Sequence, residues 1–100
     1  MGQRQRLRPK RLASKIRQVR LLLGLTQEQL AGLLNHIDSP PQAGHISEFE
    51  VGRREPSFLF LLALSRLAGV TAEQLVDDEM DLPAKLPRRS KLVSNKDGRV

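Results

Sequence analysis

Two histidines, His36 and His45, an acidic run at 77–81 and arginines gathered at the chain ends are the side chains best equipped for chemistry in these 100 residues. The histidines stand in a chain without cysteine, so a tetrahedral metal site would lack most of its ligands. They read as one loop residue and one groove or surface residue. The acidic run, Asp77 to Asp81, has no calcium-loop spacing and reads as a solvated helix end available to a basic arm. No phosphate-binding glycine loop occurs, and no nucleophile is paired with a base. An enzyme, a metal centre and a cofactor are therefore not expected, which leaves charge and hydrogen bonding toward a partner.

The charge is segregated. Residues 1–20 carry eight bases and no acid, residues 83–100 carry six bases against Asp97, and residues 21–82 carry Arg53, Arg54 and Arg66 against ten acids. The ends are thus near +13 and the middle near −7, within a net charge of +6. This balance suggests a polyanion partner attracted mainly by the arms and the first helix, while simple solubilisation is the competing account of the C-terminal tail. With three Phe and no Trp or Tyr, a stacking platform for single-stranded nucleic acid is hard to build. The apolar runs near Leu21 to Leu25 and Phe58 to Leu64 fall short of the roughly 20 residues that span a bilayer, and the start lacks a signal-peptide core. A cysteine-free, unsecreted chain fits a reducing cytoplasm.

The elements that must position these groups follow from caps and periodicity. Residues 1–10 have too little apolar surface to order and read as a flexible arm. Leu12, Ile16, Val19 and Leu23 form a buried stripe on a helix over about residues 10–23, stopped at Gly24. Lys15, Arg17 and Arg20 lie beside that stripe, so at least two should face solvent or a phosphate backbone. Thr26 and Gln29 make a capping box that opens helix 2, over about residues 27–34, with Asn35 suited to a left-handed end. The connection HIDSPPQAGH is long for a helix-turn-helix link. Ser39 before Pro40 and Pro41 reads as an N-cap that starts helix 3 as early as Pro40, and a start near Ala43 is the alternative. Ile46, Phe49 and Val51 are the inward candidates before Gly52. Ser57 caps a fourth helix, residues 58–68, whose Phe58, Leu61, Leu62, Leu64 and Leu67 suit the centre of the core. Gly69 ends it, and Thr71 with Gln74 opens a short fifth helix through Asp77, anchored by Leu75 and Val76. From Asp78 the chain reads as a tail without a core.

Five short helices in this order resemble the Cro/C1-type, or XRE, helix-turn-helix family of phage and bacterial repressors. The resemblance is carried by Ile16 and Arg20, GLTQ at 24–27, Leu30 and Ala31, then Ile46, Ser47, Glu50, Gly52, Arg54 and Pro56. It spans about residues 12–76. It implies an all-α, five-helix, lambda-repressor-like domain at 11–78, with an extended connection between helices 2 and 3. A basic arm at 1–10 and a basic flexible tail at 79–100 flank it.

The resemblance also implies roles. Gln27 matches a phosphate contact at the start of helix 2, and Arg20 with Glu50 match a structural salt bridge from helix 1 to helix 3. Arg53 and Arg54 match a loop that grips the DNA backbone, although Arg54 can equally pair with a nearby acid. The family's base-reading positions fall on Gln42, Ala43, Gly44, His45, Ser47 and Glu48. Gln42 can contact adenine, Ala43 a thymine methyl, Glu48 cytosine, and His45 guanine or a phosphate. Arg4, Arg6, Arg8, Lys10 and Arg11 add phosphate or minor-groove contacts from the arm. The expected function is that of a transcriptional regulator, in this family more often a repressor, bound as a homodimer to a double-stranded operator. An antitoxin-like or bridging protein-interaction module is the alternative, and a nonspecific polyanion binder a third account.

Overall fold

The computed structural model describes residues 9–86. Arg4, Arg6, Arg8 and the basic residues from 87 onward lie outside the described residues. Five helices follow one another: α1 (Leu12–Leu23), α2 (Gln27–Leu33), α3 (Ala43–Glu50), α4 (Phe58–Ala68) and α5 (Ala72–Val76), and no strand occurs among the described residues. α3 packs on both α1 and α2, and α5 touches α4 and α1.

Local chemistry sets most of the boundaries. Thr26 Oγ1 accepts the Gln29 N–H at 3.0 Å while Gln29 Oε1 accepts the Thr26 N–H at 2.9 Å, and Thr71 with Gln74 repeats the arrangement at α5. Ser57 Oγ accepts the Phe60 N–H at the start of α4. Gly24, Gly52 and Gly69 all take positive φ at helix ends, a conformation in which a Cβ would meet the backbone.

The connection between α2 and α3 departs from expectation in its turns, while α3 takes the later of the two expected starts. Asn35 is not left-handed; Ser39 is, at φ 52, the one non-glycine residue with positive φ among those described. Ser39 is accordingly a turn rather than a cap, and α3 begins at Ala43 behind an extended Gln42. The reason lies in the double proline. A residue before a proline is pushed out of the α region, so Pro41 bars Pro40 from the first helical turn that a cap at Ser39 would open.

The core joins Leu12, Ile16 and Val19 of α1, Leu30 and Leu34, Ile46 and Phe49 of α3, Phe60, Leu64 and Ala68 of α4, then Val70, Leu75 and Leu82. Phe49 and Phe60 meet with ring centroids 4.8 Å apart. Phe58, expected at the core's centre, is 69% exposed and Val51 is 67% exposed. Once Phe60, Leu64 and Ala68 define the inner face of α4, Phe58 sits about 200° around the helix from Phe60 and faces solvent. Leu61, Leu62 and Leu67 occupy the half-buried flanks.

Two further corrections concern charge and the chain end. Lys15, expected among the outward bases, is buried, and its ammonium donates to the carbonyl oxygens of Gln74, Asp77 and Met80 at 2.7, 2.8 and 2.6 Å. Burial first and then Arg11 push its pKa down, yet three carbonyls supply acceptors for its three N–H groups. Of the three bases beside the α1 stripe only Arg17 is exposed. Nor does packing stop at Asp78: Leu82 is buried in the core and Leu86 packs against it.

The segment after α5 also caps α1, which has no side-chain cap of its own. Asp78 accepts the N–H groups of Lys10 and Arg11 at 2.9 Å each, and Arg11 reaches the Asp78 carbonyl and, at 2.7 Å, the Asp81 carboxylate. The Lys10 and Arg11 amides hold the Asp78 carboxyl below its ordinary value of 3.8. Its stabilising contribution is therefore complete above that value and is lost as pH falls through the lowered one. Asp78→Ala should lower Tm at pH 7, and thermal scans at successively lower pH, starting from 3.8, should show the gap to the wild type closing.

Candidate nucleic-acid interface

The interface begins with a buried constraint. Arg20 Nε donates to Glu50 Oε2 at 2.7 Å and the Arg20 NH2 group donates to Glu50 Oε1 at 3.0 Å. The third side of the guanidinium donates to the Leu25 carbonyl at 2.9 Å. Both side chains are deeply covered, at 11% and 3% exposure. The hydrogen bond to Glu50 raises the Arg20 pKa above its already high value, so the cation persists at every accessible pH.

Gln27 belongs to the same cluster. Its Nε2 donates to Glu50 Oε1 at 3.1 Å and its side chain is half-buried. The amide expected on a phosphate also satisfies the carboxylate that anchors α3. Sequence reading missed this because Gln27 and Glu50 are 23 residues apart, and only the packing of α2 on α3 brings them together.

With Glu50, Ile46 and Phe49 facing inward, the opposite edge of α3 carries the groups available to a partner. Gln42 and Gly44 are exposed, and Ala43, His45, Ser47 and Glu48 are half-buried. His45 is held: its Nδ1 accepts the Gln42 N–H at 3.1 Å. Glu48 is held as well, because Arg54 Nε donates to its Oε1 at 2.6 Å. That hydrogen bond is the main reason the Glu48 carboxyl sits below its ordinary range. Two candidates for separate DNA contacts thus neutralise each other, joined by the turn at Gly52. There the Arg53 N–H meets the Glu48 carbonyl and the Gly52 N–H the Phe49 carbonyl, the paired bonds of a Schellman end.

The remaining charges divide clearly. Arg11 is tied to Asp78 and Asp81, and the Lys10 side chain is exposed. Arg17 and Arg53 are exposed and make no ion pair with another described residue. His36 lies in the connection, far from a ligand set, and no group of three or more metal-binding side chains occurs among the described residues. No helix among them is long and apolar enough to cross a membrane.

A family model described as helix-turn-helix matches residues 16–75. The chain belongs to the helix-turn-helix family. The match covers most of the segment whose residues resemble Cro/C1-type repressors, from Ile16 in α1 to Leu75 in α5. No curated protein sequence matches this helix-turn-helix chain. In structure it is similar to the P22 c2 repressor, solved in complex with the synthetic operator 9T in the presence of Tl+. That likeness has a TM-score of 0.57 and 25% sequence identity, over 67% of this chain and 94% of the other.

Removing one member of a buried, hydrogen-bonded ion pair leaves the other uncompensated, at about 3–5 kcal/mol. Arg20→Ala should lose stability on that scale in urea unfolding. Replacing Arg20 and Glu50 together by apolar residues should cost less than Arg20→Ala alone.

Proposed function

We propose that this chain binds double-stranded operator DNA in a sequence-specific manner and regulates transcription, most simply as a repressor. α3 enters the major groove and reads through Gln42, Ala43, Gly44, His45, Ser47 and Glu48. The start of α2, with Arg17, Arg53 and Arg54, holds the phosphate backbone. One observation carries this reading: α3 is fixed from behind by the Arg20–Glu50–Gln27 cluster, while its outer edge is polar and open. Likeness to a repressor solved in complex with a synthetic operator supports the same reading.

Lys10 and the arm residues Arg4, Arg6 and Arg8 supply the long-range attraction that the acidic middle of the chain lacks. Arg11 contributes less than its position suggests, since Asp78 and Asp81 already engage it. The chain acts as a homodimer, each protomer placing one α3 in half of a pseudo-palindromic site.

A second reading, a protein-interaction module on the same fold, has one feature in its favour. An open, largely apolar cleft of about 860 Å³ lies between the α2–α3 connection and α4, lined by Leu33, Ile37, Leu59, Leu62 and Leu67. Random genomic fragments in a gel shift separate the two, because a module of that kind gives no sequence-selective complex even at low salt.

Selection from a random DNA library should return a two-fold symmetric motif. With five to seven bases on phosphates, log affinity against log salt should fall with a slope of about −5 to −6 per protomer. Arg17→Ala and Arg53→Ala should each flatten that slope by about 1 and weaken all sequences alike. A slope near zero for the wild type would overturn the DNA reading.

A further inference from the structure

Among the described residues, three helices close their N-termini with the side chain of their third residue. In α2 and α5 that residue is a glutamine, Gln29 or Gln74, whose Oε1 accepts the N–H of the capping threonine. In α3 it is His45, whose Nδ1 accepts the Gln42 N–H at 3.1 Å. The capping task is the same, so the residue difference calls for a second task at α3.

The geometry of imidazole supplies one. A ring nitrogen that accepts a hydrogen bond carries no proton, so the neutral ring places its proton on Nε2. Nε2 points away from Nδ1, hence away from the helix backbone, and no described residue bonds to it. The ring cannot rotate to offer Nδ1 outward without surrendering the cap. α3 therefore presents a donor at this position and no acceptor.

Neighbouring groups narrow its use further. Gly44 has no side chain, and nothing lies within 4 Å of a Cβ built there, so no side chain from that position crowds the ring. Glu48, one turn on, has its carboxylate drawn to Arg54 and away from the ring. Among base edges in the major groove, guanine alone offers two adjacent acceptors, N7 and O6, and no donor. We propose that His45 is a specificity-determining residue of two faces: Nδ1 fastens the start of α3, and Nε2–H selects guanine at one position of each half-site. The inference rests on α3 reading the major groove, as proposed above.

Two substitutions separate the faces. His45→Ala removes both, and should lower Tm and weaken binding. His45→Gln keeps the cap that α2 and α5 already use, and should restore Tm to the wild-type value. Library selection and competition binding on the full chain then read the other face. The wild type should prefer guanine at one pair of symmetry-related positions. In His45→Gln that preference should drop by roughly tenfold, within the range of a single base contact, while half-site spacing and all other positions hold. A wild-type motif that His45→Gln leaves unchanged would overturn the proposal and leave the DNA reading standing. Failure of His45→Gln to restore Tm would equally overturn it. If the wild type selects no motif, the DNA reading falls and this inference with it.

Discussion

The buried pair of Arg20 and Glu50 is the constraint around which the domain is arranged. Each guanidinium edge has a designated acceptor, two on Glu50 and one on the Leu25 carbonyl, and Gln27 completes the carboxylate's shell. Four positions on α1, the following turn, α2 and α3 are thereby tied to one charged centre. Apolar contacts between short helices allow sliding at little cost, whereas a desolvated bidentate pair tolerates very little displacement before a charge is left bare. The inner edge of α3 is thus fixed both by Ile46 and Phe49 in the core and by a directional anchor at Glu50.

A second set of polar contacts closes the other end of the domain. Lys15, buried within α1, gathers the carbonyls of Gln74, Asp77 and Met80, and Asp78 returns the contact by accepting the amides ahead of α1. Here a cation satisfies the carbonyls at the end of one helix and an anion satisfies the amides at the start of another, the arrangement favoured by the helix dipoles. The acidic segment after α5 is accordingly a structural clasp. Its basic partners are Lys15 and Arg11, whose charges are thereby committed to holding the domain closed.

Much of the fold was legible before any coordinates. The capping boxes at Thr26 and Thr71, the cap at Ser57 and the glycine stops at 24, 52 and 69 are short-range devices, and each appears where the residues place it. The inner stripe Leu12, Ile16 and Val19 likewise follows from period alone. Phe58 failed because composition says that α4 is apolar but not which of its flanks meets the core. Of the two starts open to α3, the later one at Ala43 is taken, because Pro41 keeps Pro40 out of the helical region that a cap at Ser39 would need it to adopt.

The candidate site divides along the same line. By itself the sequence determined the helices, their ends, the segregation of charge and the family likeness, since these depend on groups a few residues apart. Only the tertiary structure decided the partner of each polar side chain: Gln27 with Glu50, Arg54 with Glu48, Arg11 with Asp81, Lys15 with three carbonyls. An exposed charge and a buried one are the same letter, and which is which depends on the helix that packs over it.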